Sequence, residues 1–371
     1  MQIYRVGGSV RDEWLKLPIS DHDFVVIAGS ETQFMHAFPQ AVKVGGRHAV
    51  FIVQGCEYTL STAPDIETDL ATRDLTINAM ARDREGNLFA HPHALADLAN
   101  LMLRPVAAEN FVHDPLRIFR AARFSATWPH FSHHRTLVPA MRVAAKSESI
   151  KKIAAERVGR EVIKACNSRR PSRFLQLLAS GDAWIPWFNE LAEAAGIPAG
   201  PPPYHNGSVL EHISHVMDRL AGDGLAVWMG LCHDLGKTIT PVDQWPRHHG
   251  HDRTGSTRAE ILGQRLRLPK RYIAAGVFSA RWHMVAGQYF QLRPATRVRL
   301  LTAAHKQGLL SRLINLVSAD RDVDIRAAAQ ADMTSILAVR LPAEFHGQGI
   351  MAGQRLFELR CQAVAGKRAE K

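Results

Sequence analysis

The sequence predicts an α/β head followed by an all-helical remainder, and three observations carry that reading. Short runs of β-branched and aromatic residues bounded by Gly and Asp fill residues 2–103, the pattern of strands alternating with helices. After Pro115 the character changes to Ala-, Leu- and Arg-rich segments with helical spacing. At 371 residues and 46% apolar, the chain is also too long for one typical domain and too apolar for long disorder.

Taken in order, Ile3-Tyr4-Arg5-Val6 reads as a strand, Gly7-Gly8 as a turn, and the residues around Arg11 as a helix. Asp21-His22-Asp23 then opens a second strand, Phe24-Val25-Val26-Ile27. Residues 49–53 and 57–60 give two more strands. The segment at 72–80 begins with charge and is expected to become a helix, and helices follow at 114–124 and 158–165. Pro198-Ala199-Gly200-Pro201-Pro202-Pro203 is the clearest linker, because its prolines break any helix crossing it. Residues 225–230 are helix-like, and the polar, basic tail from Gln362 is expected to fray. The expected domains are a head at 1–104, a helical neck and body at 105–200, a further helical domain at 204–330 and a helical tail at 331–371.

Lysine and arginine number 46 against 35 aspartates and glutamates, a net charge of +11. Such an excess attracts polyanions, with nucleic acid the leading candidate and plain solubility the alternative. No apolar stretch reaches the eighteen or so residues that span a bilayer, so no membrane partner is expected. The N-terminal residues lack the apolar core of a signal peptide, and the four cysteines are scattered without paired spacing. The chain reads as cytoplasmic.

Four segments of the first third fit one chemistry. The Gly7-Gly8 turn between strand and helix offers backbone N–H groups to a phosphate, and Arg11, one turn on, adds positive charge. Asp21 and Asp23 fall on one face of a strand, as a pair of carboxylates holding Mg²⁺ must. Arg73 supplies a phosphate or base contact, with Asp74 beside it satisfying helix-start amides. Arg117, Arg120 and Arg123 lie along one side of a helix whose Leu116, Phe119 and Phe124 can face the core. Taken singly, each segment has a plainer reading: a turn, a solvated strand start, a surface arginine, a solvated basic face. Glu57 is open between a third carboxylate and a solvated strand residue.

In order and spacing these segments resemble the class II tRNA nucleotidyltransferases, the CCA-adding enzymes of the polymerase-β nucleotidyltransferase superfamily, over residues 1–165. Ala155-Glu156-Arg157-Val158 resembles a further motif in the family's neck. The resemblance implies that Asp21 and Asp23 carry catalytic Mg²⁺, and that Gly8, Arg11, Arg73, Arg120 and Arg123 hold the incoming nucleotide. It also implies that Asp114 and Arg117 form a protein template for the base edges of CTP or ATP, with tRNA as the acceptor. A carboxylate accepting from an exocyclic amine, beside a guanidinium donating to a ring acceptor, suits that role. Bacterial poly(A) polymerases share the same segments.

The second half carries a histidine series: His212, His233-Asp234, His248-His249-Gly250-His251, His283, with Asp320 beyond. Imidazole with carboxylate is a divalent-metal set. The series resembles an HD-superfamily phosphohydrolase domain, in which His212, His233, Asp234 and Asp320 match the metal-binding positions, with His251 and His283 as further candidates. Trp245-Pro246-Arg247-His248-His249-Gly250-His251 resembles the HD domain of multifunctional CCA proteins of Gram-negative bacteria, which favours CCA addition over poly(A) synthesis. That resemblance implies a second divalent metal and action on 2′,3′-cyclic or 2′-phosphates. A domain that only packs and grips tRNA is the alternative.

The chain departs from the family twice. Only residues 61–72 separate the strand at 57–60 from Arg73, where the family carries a longer basic, flexible loop. Loss of that loop is a feature of CC-adding relatives, so three outcomes stay open: full CCA addition, CC addition alone, and a phosphohydrolase with a non-catalytic head. His113 also stands where the family usually has Glu, so weaker pre-organisation of Arg117 is expected.

Overall fold

The computed structural model describes residues 1–19, 22–45, 50–202 and 207–366. The chain divides into two compact units, Met1–Val158 with Arg173–Ala183, and Gly159–Ser172 with Trp184–Lys371.

The first unit is built on a seven-stranded sheet of β1 (Gln2–Val6), β2 (Asp23–Ile27), β3 (Val42–Val44), β4 (Val50–Val53), β5 (Cys56–Leu60), β6 (Met80–Arg82) and β7 (Leu88–Ala90), in the order β3-β4-β5-β2-β1-β6-β7. Strand β2 is central, antiparallel to β1 and parallel to β5. Side chains alternate across it, so the sheet is apolar on both faces. Tyr4, Val6, Val25, Ile27 and Ala81 meet Ile66 and Leu70 of α3 (Ile66–Ala71) on one side. Val26, Phe51 and Val53 meet Phe34 of α2 (Glu31–Ala37) on the other. The sheet's first helix is α1 (Gly8–Trp14). Burial runs out at the start of β2: Val25 to Ile27 are buried and Asp23 is exposed, so the carboxylate stands clear of the core.

Helices α4 (Ala94–Ala99), α5 (Ala108–His113), α6 (Leu116–Thr127), α7 (Leu137–Ala145), α8 (Ala155–Cys166) and α9 (Ser172–Ser180) follow, the last two running across the division of the chain. On α6, Leu116, Ile118, Phe119, Ala122 and Phe124 are buried while Arg117, Arg120 and Arg123 are only partly covered, as the helical spacing requires. The helix expected from Arg73 is replaced by one 3₁₀ turn, Thr76–Asn78, that feeds β6. Thr76 is taken out of helical pairing: its N–H donates to the Arg104 carbonyl at 2.9 Å and its hydroxyl to Asp97 at 2.6 Å. The β-branched pair Thr76-Ile77 then favours the extended chain that follows.

The second unit contains α10 (Val209–Arg219), α11 (Gly224–Cys232), α12 (His251–Arg265), α13 (Lys270–Gly287), α14 (Pro294–Lys306), α15 (Leu310–Arg321), α16 (Arg326–Ala338) and α17 (Ile350–Gly366). Helix α11 is apolar all round, with Ala226, Val227, Trp228, Met229, Leu231 and Cys232 buried, so it is the core element against which α10, α13 and α15 pack. The proline-rich segment is not a free tether. Ile197 and Ala199 are buried, Pro198 bridges to Ser208, and the Pro198 and Ala199 carbonyls accept from His248 and Lys237 at 2.7 Å each. Proline removes N–H donors but leaves carbonyls free to accept, and this segment uses them. Helical structure continues past Gln362 to Gly366. No described helix is long and apolar enough to cross a membrane.

Candidate functional site

In the head, the β2–β5 register pairs Asp23 with Glu57, setting two exposed carboxylate residues side by side at one end of the parallel pair. Asp21 lies outside the described residues. Across β1, Val6 pairs with Asp23, and Gly7 follows at once, so the turn and the carboxylates share one end of the sheet. Gly7 has φ +70°, its N–H donates to the Met80 carbonyl at 2.9 Å, and a Cβ on it would lie 3.2 Å from Arg73 Nη1. Glycine is thus favoured by the left-handed backbone, and a side chain here would also press on the guanidinium beside the turn. Gly8 is the first residue of α1.

The arginines around this turn are held by polar partners. Arg11 is buried, donates to Asp12 at 2.8 Å and to Asn78, and lies 4.3 Å over the Trp128 ring. Burial lowers its pKa, partly offset by Asp12. Arg73 pairs with Asp69 at 3.0 Å. Arg120 Nε donates to Asp74 at 2.6 Å, while the other Asp74 oxygen accepts from the Leu75 N–H at 2.7 Å and from Asn78 at 3.1 Å. Burial would raise the Asp74 carboxyl, but Arg120 and these hydrogen bonds outweigh it and hold the group well below the usual carboxylate range. Arg123 lies 3.9 Å over the Phe124 ring. The structure thus gathers Arg11, Arg120 and, through Asn78, the Asp74 segment into one network.

Asp114 and Arg117 are fixed separately. Arg117 donates to the Arg73 carbonyl at 3.1 Å, and Arg157 donates to Asp114 at 2.9 and 3.4 Å. A cation from the neck therefore orients the Asp114 carboxylate in a chain that has His113 where a carboxylate was expected. Sequence reasoning passes over Asn78 and Asp69, since neither stands in a pattern of its own. The neck motif did flag Arg157, though not its partner 43 residues away.

In the helical unit, each member of the histidine series is placed by a distinct local device. Ser208 and Glu211 form a reciprocal capping box that starts α10 and sets His212 one residue further on, a cap worth about 1 kcal/mol. Helix α11 ends at Cys232 and delivers His233 and Asp234, followed by a 3₁₀ turn. That turn touches α12 so closely that a Cβ on Gly236 would fall 2.0 Å from the His251 carbonyl oxygen. The result is a buried cluster in which Asp234 lies between two groups. Its Oδ2 is 3.2 Å from both His212 Nε2 and His233 Nε2, and its Oδ1 is 3.3 Å from His251 Nε2 and 3.4 Å from His283 Nε2. Asp320 Oδ1 completes the first group, 3.1 Å from His212 Nε2. Both groups have the compactness of a metal site.

The donor set fits a cation. His233 Nδ1 is 2.6 Å from the Gly230 carbonyl, His251 Nδ1 2.7 Å from that of His248, and His283 Nδ1 3.0 Å from that of Ala280. A carbonyl only accepts, so each Nδ1 carries a proton and each ring turns its Nε2 towards the cluster. His251 and His283 Nε2 nonetheless face each other at 3.2 Å, and His212 and His233 Nε2 at 3.1 Å. Neither buried oxygen of Asp234 completes a well-formed hydrogen bond, although Lys237 Nζ stands 2.7 Å from Oδ2. Burial would raise the Asp234 carboxyl, yet His233 and Lys237 hold it far below its usual range. Burial would lower His212, but Asp234 and Asp320 push it up to about 9. The cluster demands positive charge, and imidazole with carboxylate oxygen suits a divalent transition metal.

The molecule therefore has the fold of a CCA-adding enzyme, an α/β head with a helical body. The Bacillus stearothermophilus CCA-adding enzyme in complex with CTP superimposes with a TM-score of 0.65 at 22% identity, over 98% of this chain and 89% of that one. No family model matches the chain. The multifunctional CCA protein of Aromatoleum aromaticum is 35% identical over 324 residues, 81% of this chain and 79% of the relative. That of Tolumonas auensis is 34% identical over 350 residues, 86% and 84% respectively. The chain belongs to the multifunctional CCA protein family.

Proposed function

We propose that the chain is a class II tRNA nucleotidyltransferase that adds and repairs the 3′-terminal CCA of tRNA from CTP and ATP, releasing pyrophosphate. The observation that carries this is the Asp23–Glu57 register beside the Gly7 turn, in a chain of this family. The head corresponds to residues 1–104, the neck and body to 105–200, an HD-type domain to 204–330 and a helical tail to 331–371. The setting is cytoplasmic.

Asp21 and Asp23 would hold Mg²⁺, with Glu57 a third carboxylate in register; an oxygen-only set suits that hard ion. Mg²⁺ bound there would lower the pKa of the tRNA 3′-hydroxyl and neutralise charge on the departing pyrophosphate. Gly8, Arg11, Arg73, Arg120 and Arg123 hold the incoming nucleotide. Asp114 accepts from the exocyclic amine that cytosine and adenine share, and Arg117 donates to the adjacent ring nitrogen. Arg157 keeps the Asp114 carboxylate aimed. The acceptor stem is gripped by shape and backbone charge, since A-form grooves resist base readout.

A second reading, CC addition alone, is favoured by one feature. The connection from β5 to Arg73 is taken up by α3, capped by Asp65 and anchored in the core by Ile66 and Leu70, where a flexible loop would run. A tRNA lacking CCA, incubated with CTP and then with CTP plus ATP, separates the two: a product ending at CC with both nucleotides present rejects full CCA addition.

For the helical unit, the proposal is an HD-type phosphohydrolase acting on 2′,3′-cyclic or 2′-phosphates. His212, His233, Asp234 and Asp320 would hold a divalent metal, and Asp234, His251 and His283 a second position. Metal analysis of the purified chain tests it: wild-type protein should retain a transition metal that His233→Ala with Asp234→Ala loses.

A further inference from the structure

We infer that Arg321 is a substrate-binding side chain of the histidine centre, contacting the phosphate of the nucleotide end bound there. The inference rests on the phosphohydrolase reading of that centre.

Arg321 is the last residue of α15 and follows Asp320 directly. Its Nε stands 3.5 Å from Asp320 Oδ2, while the other oxygen of Asp320 faces His212 at 3.1 Å. The guanidinium thus begins one carboxylate's width from the cluster. It lies along the end of α13 as well: Nη2 meets the Met284 sulfur at 2.9 Å, and Met284 follows His283. Its stem packs against Gly287, where a Cβ would sit in ordinary contact, 3.4 Å from Arg321 Cγ and Nε.

Other arginines of this unit are used up in ion pairs with hydrogen bonds. Arg265 forks onto Glu190 at 2.6 and 2.8 Å, and Arg312 Nε donates to both oxygens of Asp223, at 2.8 Å to the nearer. The Nε atoms of Arg258, Arg297, Arg355 and Arg360 are, like that of Arg321, buried without a hydrogen bond, and what sets Arg321 apart is its place beside Asp320. Its Nε is buried and donates no hydrogen bond, and a thioether sulfur is a weak acceptor. Leaving a guanidinium N–H buried without an oxygen acceptor is unfavourable, and a phosphate oxygen would relieve that.

Accessibility points the same way. His233, Asp234, His251, His283 and Asp320 have side chains between 0 and 6% exposed, whereas His212 reaches 10% and Arg321 29%. His212 and Arg321, both next to Asp320, are therefore the most exposed of these side chains. A tetrahedral anion reaching the centre along Arg321 meets a partly exposed guanidinium, next to residues that call for a cation. A planar fork of donors matches two phosphate oxygens better than an ammonium does.

The test uses the full chain loaded with a divalent transition metal and titrated calorimetrically with adenosine 2′-phosphate and with inorganic phosphate. Arg321→Gln should weaken binding of both by about 10- to 100-fold, with metal content and melting temperature unchanged, and Arg321→Lys should recover part of the loss. Against 2′,3′-cyclic AMP, the Gln variant should show its loss mainly in KM. Unchanged affinity in a metal-loaded Arg321→Gln protein overturns the role of Arg321 alone. Wild-type protein that takes up no metal overturns the phosphohydrolase reading beneath it.

Discussion

The two candidate centres solve opposite problems. In the head, Asp23 and Glu57 are exposed at the end of a strand pair, and the arginines nearby rest on protein partners. In the helical unit, His233, Asp234, His251 and His283 are buried and crowd one another at 3.2 to 3.4 Å. An exposed carboxylate costs the fold little when empty, so it can wait for a nucleotide and its ion. A buried cluster of imidazoles and carboxylates is assembled only because surrounding packing enforces it, and a bound cation would repay that cost. Substitutions of the head's exposed carboxylates should therefore remove activity without stability, and substitutions in the cluster should touch both.

The sharpest break in this comparison is Asp23→Ala. Extension of tRNA should fall about a thousandfold or more, while the unfolding free energy should stay within about 0.5 kcal/mol of wild type. Extension near the wild-type rate would remove Asp23 from the chemistry. Gly236→Ala is the counterpart in the other unit. A methyl 2.0 Å from the His251 carbonyl must push α12 away, costing about 3 kcal/mol and lowering metal content, both readable by calorimetry and metal analysis. Stability and metal content like those of wild type would show that the turn does not build the cluster.

Smaller effects sharpen the account of the head. Arg157→Gln frees one side of Asp114 and should reduce kcat/KM for CTP and ATP by about tenfold, with more misincorporation of UTP, as the template loses its aim. Equal loss without misincorporation would make Arg157 a stability residue. Asp74→Asn removes the charge that Arg120 and Asn78 hold and should cost about 1–2 kcal/mol, a modest figure because Arg120 is partly solvated. The sign with pH follows from the lowered Asp74 pKa. An Asp titrates near about 3.9 when unfolded, so its stabilisation is full above that and is lost as pH falls towards the lower folded value. The Asn variant should therefore lose less stability than wild type between about pH 4 and pH 2 in acid titrations followed by circular dichroism.

Much of this was legible in the sequence, and the failures have physical causes. Strands β1, β2, β4 and β5 carry their signature in β-branched runs, and α6 in the spacing of Leu116, Phe119 and Phe124, because local periodicity fixes which face is buried. The Arg73 segment was misread because Thr76 gives its backbone and hydroxyl to partners 28 and 21 residues away, which no local pattern announces. The proline-rich run looked like a tether because proline marks where helices stop, not where carbonyls are used. The Asp23–Glu57 pairing joins strands separated by the β3–β4 hairpin, so its register is a tertiary fact. The histidines were visible one by one. What the sequence could not show was that Asp234 stands between both pairs, or that Arg321 borders them.

The most direct test of the central claim is extension of a tRNA that ends before its CCA, followed at single-nucleotide resolution. With CTP alone the product should stop after two cytidines; ATP should then add one adenosine, and Asp23→Ala should add nothing under either condition. A wild-type product that stays at CC with both nucleotides present, or a substrate left unextended, would contradict it.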